Sequence, residues 1–584
     1  MPGSELPGSE LTRPGLPRPG RRSEAWLGGD DEVALNHRAA LRAAGFRGSR
    51  GSRRPLIGIA CTASDLNRCD RGLTELAAAV RRGVLAAGGL PLEFGVMSLS
   101  EDLMKPTAML YRNLLAIEVE ETIRSQPLDG IVALGNCDKT VPAYLMALAS
   151  ADIPALIVTG GFRVPAVFRG ERLGSGTALW RMYDERRAGT LSSAEWARLE
   201  TCLGRGLGAC NTMGTASTMA IMAETLGLAL PGSAVAASGD ASQASLAEEA
   251  GRQIVSMVSS SLRPSAFLTA AGFANAMAVL AAVGGSTNAI IHLCAVAGRR
   301  ALSLPLREFA AVSARVPVIA DVAPVGTGLM DDLAAAGGVP AVLAAIAEHL
   351  DLSVPVASGP CMRDVLAAGP SRWPLVPLSE PVTSLPAFMV VHGNIAPDGA
   401  VIKAAAASPS LLRHQGPAVL FHSYQEMRAR IDDPSLDVCP DSVLVLAGCG
   451  PVGMAMPEWG NIPIPAKLLD QGVTDMLRIT DGRMSGTGFG TVVLHVAPES
   501  AVGGPLSLLR DGDMVSLDAY AGLLSVSADL AGREPIVPPV ADTRGWPVLH
   551  RMHVRQAPEG CDYDFLTVRT PDQLTFREPV IGRS

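Results

Sequence analysis

The sequence predicts an α/β protein in two parts, a layered α/β unit followed by a smaller β-rich, barrel-like one. Three observations carry this. From about Arg22 to Pro374, short apolar runs alternate with Ala-rich helix-periodic stretches, the pattern of strands covered by helices. Around Trp373-Pro374-Leu375 to Ser384-Leu385-Pro386 the pattern breaks into Pro-rich connectors. Beyond them the apolar runs are shorter and separated by Gly- and Asp-rich turns such as Arg510-Asp511-Gly512-Asp513. Finally, 584 residues, 48% hydrophobic and 18% charged, suffice for more than one buried core. The expected division is a flexible tail over 1–21, an α/β domain over 22–380 and a β-rich domain over 381–584.

Taken in order, the tail repeats Pro-Gly-Ser-Glu-Leu twice and has no apolar h-region, so it reads neither as a secretory signal nor as a packed element. Leu56–Ala60 reads as a strand and Leu73–Ala87 as a helix stopped by Gly88-Gly89. The strand Gly130–Leu134 leads to Thr140-Val141-Pro142, which opens a helix with Thr140 as its N-cap and Pro in its first turn. Ala155–Thr159 is the next strand, and Ala220–Leu228 a helix closed by Leu230-Pro231-Gly232. Ala266–Gly285 is the most apolar stretch. Thr269, Asn275 and several glycines interrupt it, so it reads as a buried Ala-rich helix rather than the ~20-residue apolar run of a membrane span. In the distal part, strands are expected at Phe388–Val391, Ala418–Phe421, Ser442–Ala447, Val492–Val496 and Met514–Ser516.

A net charge of −8 with no large basic cluster argues against a nucleic-acid surface, and 4% aromatic content with 61 Gly fits an enzyme better than an interaction module. Ten scattered cysteines without a signal segment point to a reducing cytoplasm and free thiols.

Most informative is Gly135-Asn136-Cys137-Asp138-Lys139-Thr140, directly after the strand Gly130–Leu134. A soft thiolate and a hard carboxylate on consecutive residues, at a strand end facing a helix N-terminus, point to two kinds of metal centre in one site. Cys69 and Cys210 also lie in loops just ahead of predicted helices, where unpaired amides can meet sulfides or an anionic substrate. The spacing of the trio is neither a CxxC zinc pattern nor a ferredoxin run. The other seven cysteines (Cys61, Cys202, Cys294, Cys361, Cys439, Cys449, Cys561) read as small buried hydrophobes. His292, among Ile290, Ile291 and Leu293, reads as a core or capping histidine.

Seven stretches in order resemble the dihydroxy-acid and sugar-acid (aldonate) dehydratase family, over about Arg22 to Leu566. They are Glu101 to Asn113; Cys137-Asp138-Lys139; Met213 to Thr218; Gly284-Gly285-Ser286-Thr287-Asn288 with His292; Gly393-Asn394-Ile395-Ala396-Pro397; Pro457-Glu458; and Asp481 to Thr487. The resemblance implies a cluster-bearing α/β domain and a swivelling β-rich domain that closes over it. It implies an iron–sulfur cluster on Cys69, Cys137 and Cys210, with [2Fe–2S] favoured over [4Fe–4S]. Three thiolates leave one iron position open to act as a Lewis acid on a C3 hydroxyl. It further implies Mg²⁺ on Glu101, Asp138, Glu458 and a carboxylated Lys139. Ser485 takes the place of the base that removes the C2 proton, with Thr487 and Arg483 as candidates for substrate contact.

The function so implied is a cytoplasmic hydro-lyase that dehydrates a 2,3-dihydroxy carboxylate to a 2-keto-3-deoxy acid. An aldonate such as L-arabinonate or D-xylonate is favoured, because Arg483 to Gly490 and Glu559 to Leu566 resemble the aldonate branch. The alternatives are the dihydroxy-acid dehydratase of branched-chain amino-acid synthesis and a non-catalytic iron–sulfur sensor. A small-molecule substrate, a homodimer or homotetramer, and no nucleic-acid or membrane partner complete the expectation.

Overall fold

The structure, a computed structural model, describes residues 21–46, 54–366, 375–377, 379–537, 542–574 and 577–582. The tail expected over 1–21 (all but its last residue) and the Trp373-Pro374 start of the connector lie outside them.

The first apolar runs form strands β1 (Leu56–Cys61), β2 (Leu90–Gly95), β3 (Gly130–Leu134) and β4 (Ala155–Val158), all parallel, in the order β2-β1-β3-β4. Strands β1, β3 and β4 are buried along their whole length, as expected of a parallel sheet covered on both faces. β2 went unread because it alternates buried and exposed positions at the sheet edge.

The helices around this sheet are α1 (Leu73–Ala86), α2 (Met109–Ser125), α3 (Thr140–Ala151), α4 (Thr215–Thr225), α5 (Ala241–Ser260), α6 (Ala270–Ala282) and α7 (Asn288–Gly298). α1 and α5 touch backbone to backbone through Gly83 and Gly251. A Cβ on Gly83 would stand 1.9 Å from the Glu248 carbonyl oxygen, and one on Gly251 would stand 2.2 Å from that of Val80. No side chain fits at either crossing point. At α3 the N-cap is Lys139, not Thr140, which is the first helical residue. The Ala-rich stretch forms α6, only 13 residues long, and no helix among the described residues is long and apolar enough to cross a membrane.

The distal strands close into a barrel. They are β5 (Met389–Gly393), β6 (Ala396–Ile402), β7 (Arg413–Phe421), β8 (Val443–Leu446), β9 (Arg478–Thr480), β10 (Val492–Ala497), β11 (Met514–Asp518) and β12 (Leu523–Val526), in the order β8-β9-β10-β6-β5-β12-β11-β7. The chain is therefore α/β with a β-rich, barrel-like C-terminal part, as expected. Val391, Ala400, Leu420, Val445, Ile479, Val493, Val515 and Leu524 pack together in its core. Closure leaves no unpaired sheet edge. β6, β9 and β12 were not read from the sequence.

The C-terminal segment then returns to the first unit. Arg299, just past α7 and fully buried, donates from Nε to Asp562 Oδ2 at 2.5 Å, from Nη2 to Asp562 Oδ1 at 3.0 Å and from Nη1 to Glu120 Oε2 at 2.9 Å. Removing Asp562 leaves the buried guanidinium with Glu120 as its one carboxylate and takes away the acceptors of Nε and Nη2. Asp562→Ala is expected to destabilise the protein by about 3–5 kcal/mol, read as a lowered urea midpoint. A midpoint unchanged from wild type would show that the pair does not hold the segment.

Candidate functional site

Cys69, Cys137 and Cys210 each precede a helix, α1, α3 and α4 respectively, as the sequence implied. Their loops are knotted together by two residues that sequence reasoning did not single out for this. Asp70, fully buried, accepts from Asn67 Nδ2 at 2.9 Å, Ser98 Oγ at 2.9 Å and the Asn136 amide at 3.0 Å, so it joins the Cys69 loop to the Cys137 loop. Burial pushes its carboxyl up to about 7 against these bonds. Asn136 Nδ2 donates to the Cys69 carbonyl at 3.2 Å and to that of Gly161 at 2.8 Å. The Cys210 loop joins through the Ala209 amide, which donates to the Gly161 carbonyl at 2.8 Å, and the Gly208 amide, which donates to that of Arg68 at 3.3 Å.

The thiols of Cys137 and Cys210 both feel that of Cys69. A hydrogen bond with Cys69, then burial and the nearby charge of Asp138, push the Cys137 thiol well up. Burial raises the Cys210 thiol to about 11, opposed by the positive charge of Arg163 and Arg68. Cys137 turns through φ 57°, a left-handed conformation that non-glycine residues adopt only where the surroundings over-determine it. Of the remaining cysteines, Cys61, Cys294, Cys449 and Cys561 are buried as expected. Cys439 is exposed, while Cys202 and Cys361 are half-buried, a correction to their reading as core hydrophobes. All ten are free.

Beside the thiols, Glu101, Asp138 and Glu458 bring carboxylate oxygens within 4.8 Å of one another. Glu101 comes from the loop before α2, Asp138 from the end of β3 and Glu458 from the loop between β8 and β9. Lys139, fully buried, donates from Nζ to Asp138 Oδ2 at 2.7 Å and lies 3.6 Å from Glu101 Oε1. Arg483 binds the group together. Its Nη2 donates to Glu101 Oε1 at 2.5 Å and to Thr107 Oγ1 at 2.9 Å, and its Nη1 donates to Glu458 Oε1 at 2.5 Å. With no exposed surface and both ends on carboxylates, Arg483 is a clamp on this group. Burial raises Glu101, but Arg483 and Lys139 overcome it and hold that carboxyl below its usual range. Burial and the charges of Glu101 and Asp138 push Glu458 the other way.

His292 is fully buried and pairs its Nδ1 with Arg112 Nη1 at 2.9 Å, in keeping with the core histidine expected. Burial, with the charges of Lys139, Arg112 and Arg483, holds it neutral. Arg112 also donates to the Gly560 carbonyl at 2.9 Å and to that of Cys561 at 2.8 Å, so this end of the Glu101–Asn113 motif is a joint to the C-terminal segment.

Ser485 is half-buried on the turn between β9 and β10. Its Oγ lies 3.0 Å from Thr487 Oγ1, and Thr177 Oγ1 donates to the Thr487 carbonyl at 2.9 Å. Asn288 ties this turn to the acidic group. Its Nδ2 donates to the Met484 carbonyl at 3.2 Å, to Glu458 Oε1 at 3.2 Å and to Thr215 Oγ1 at 2.9 Å. That role was invisible in the Gly-Gly-Ser-Thr-Asn motif itself.

The donor sets match two different metal groups. Clustered hard oxygens suit Mg²⁺, and convergent thiols on separate loops suit an iron–sulfur cluster. Lys139 could join the oxygen set only as a carbamate. Such a fourth anion beside Asp138 and Glu101 is tolerable only with a cation present, so carbamate and metal stand or fall together.

Comparison with known proteins identifies the family. Residues 54–365 match the model of the dihydroxy-acid/6-phosphogluconate dehydratase N-terminal region, and residues 375–561 match that of the C-terminal region. The chain is similar to a 6-deoxy-6-sulfo-D-gluconate dehydratase of Pseudomonas putida, 45% identical over 93% of this chain and 96% of that protein. It is similar to an L-arabinonate dehydratase of Rhizobium leguminosarum bv. trifolii, 44% identical over the same shares. A dihydroxy-acid dehydratase of Moorella thermoacetica is 36% identical over 84% of this chain and 90% of that protein.

Proposed function

The chain belongs to the dihydroxy-acid/6-phosphogluconate dehydratase family, and we propose that it is a hydro-lyase converting a sugar acid, an aldonate such as L-arabinonate or D-xylonate, to the 2-keto-3-deoxy acid. The observation that carries this is a site in which Arg483 and Asn288 link three carboxylates to the Ser485 turn, with the Cys137 thiol 3.7 Å from Asp138 Oδ1 beside them. The choice of an aldonate over a branched-chain dihydroxy acid rests on the identity to sugar-acid dehydratases, 44% to the L-arabinonate enzyme against 36% to the dihydroxy-acid enzyme. Within that class the 45% identity to the 6-deoxy-6-sulfo-D-gluconate enzyme and the 44% identity to the L-arabinonate enzyme favour six- and five-carbon acids alike.

In this reading Cys69, Cys137 and Cys210 would hold a [2Fe–2S] cluster, and Glu101, Asp138, Glu458 and a carboxylated Lys139 would hold Mg²⁺. When bound, these groups supply a Lewis acid for the departing C3 hydroxyl and positive charge for the enolate. The chain's own residues do the rest. Ser485 takes the C2 proton at Oγ, and Thr487 Oγ1, 3.0 Å away, orients that oxygen and shares its hydrogen bond. Arg483 fixes Glu101 and Glu458 in place and offsets their charge. The α/β domain is assigned to 22–380 and the β-rich domain, which brings Ser485 and Glu458, to 381–584. The protein is placed in the cytoplasm as a homodimer or homotetramer acting on a small-molecule substrate.

A panel of substrates tests the assignment. Anaerobically reconstituted protein is expected to show kcat/KM for five- and six-carbon aldonates above that for a branched-chain 2,3-dihydroxy acid by a factor on the order of 10² or more. Preference for the branched acid would return the protein to the amino-acid branch. Intact cluster with turnover of neither would favour a sensor.

A further inference from the structure

Lys403 follows β6 directly and is 2% exposed. Its amino group reaches one acceptor, the Gly486 carbonyl at 3.4 Å, and no carboxylate pairs with it among the described residues. Burial alone pulls its amine down to about 7. An apolar side chain of that length would fill the space without the desolvation cost of an ammonium.

The amine is not what holds the neighbouring turn. The stretch from Lys403 to Ser408 runs beside residues 486–491. The Gly490 amide donates to the Ala406 carbonyl at 2.8 Å, and the Ser408 amide donates to Thr491 Oγ1 at 3.0 Å. On its other side Gly486 is pressed against the first unit. A Cβ there would lie 2.6 Å from the Thr215 amide nitrogen and 2.7 Å from Ser286 Oγ. Asp475 and Arg478, the charged groups of the same clamp, pair with each other at 2.5 Å. The turn is thus fixed from both sides, and the buried amine of Lys403 is left over from its architecture.

We infer that Lys403 is a positioning residue for proton abstraction: its ammonium, on the carbonyl of the residue after Ser485, favours the alkoxide form of that serine. The inference rests on the reading of Ser485 as the base. A positive charge in a buried, weakly screened setting stabilises a nearby anion far more than it would in water. The strand end of the barrel thereby supplies electrostatic help at the serine turn.

The test uses reconstituted holoenzyme. Lys403→Met is expected to lower kcat by a factor on the order of 10² while KM changes less than about threefold. Iron content should be unchanged and the thermal midpoint equal to or above wild type, because the desolvation cost is relieved. Lys403→Arg should restore part of kcat. Adding Lys403→Met to Ser485→Ala should cause no further loss, since the lysine acts through the serine. A wild-type kcat in Lys403→Met, or a lowered midpoint with kcat intact in the folded fraction, would overturn the inference. If Lys403→Met does not fold, Lys403→Gln, which keeps a donor without the charge, must show the same loss, and wild-type turnover there is equally fatal. Ser485→Ala run in parallel separates the two readings. Turnover lost there but kept in Lys403→Met removes this inference alone, whereas turnover kept in Ser485→Ala removes the base assignment and this inference with it.

Discussion

Ser485→Ala is expected to lose turnover by a factor on the order of 10²–10⁴, the usual worth of a positioned general base. The reason is local. Ser485 Oγ meets Thr487 Oγ1 at 3.0 Å, and the Thr487 amide approaches it at 3.5 Å, so its removal leaves the clamp around the turn in place. Cluster content and substrate affinity should therefore survive. Exchange of the C2 proton with solvent should vanish together with turnover, because exchange needs the base but not loss of the C3 hydroxyl. If the serine only donated a hydrogen bond within the turn, the alanine variant would keep appreciable turnover and exchange. The base role would then pass to another group near the carboxylates.

Cys137→Ser should abolish bound iron and visible absorbance outright. Its thiol is buried, influenced by the Cys69 thiol and 3.7 Å from Asp138 Oδ1, on a backbone held at φ 57°. Three loops share three ligands, so losing one leaves two, too few to retain a cluster that already lacks a fourth thiolate. Cys69→Ser and Cys210→Ser should behave alike. Cys439→Ser is the control: this exposed thiol, its Sγ 3.4 Å from Ser442 Oγ, lies outside the site and should leave iron unchanged. A Cys137→Ser protein with full iron content and colour would refute the ligand assignment.

What was legible in the sequence was local. Cys137-Asp138 stood out because two ligand chemistries on consecutive residues at a strand end are unusual. β1, β3 and β4 stood out because buried parallel strands read as unbroken apolar runs. What stayed hidden depends on partners far apart in the chain. Nothing around Asp70 or Asn136 shows that they tie the Cys69 loop to the Cys137 loop, and nothing in the Arg483 motif shows that both ends of its guanidinium meet carboxylates. The same holds for Asn288, whose three acceptors come from α4 and two separate loops. β9 has only three residues, below the length at which an apolar pattern separates from chance. The reading of Cys439 failed for a related reason, since burial of a single thiol is set by tertiary packing that sequence alone does not display.

The most direct test of the central claim is the reaction run in D₂O with an aldonate and the product followed by NMR. Removal of the C2 proton, loss of the C3 hydroxyl and ketonisation require C2 to become a carbonyl and C3 to gain one hydrogen from solvent. A 2-keto-3-deoxy acid carrying one deuteron at C3 is expected. A product labelled elsewhere, an unlabelled C3, or no 2-keto acid from any aldonate while the cluster is intact would contradict it.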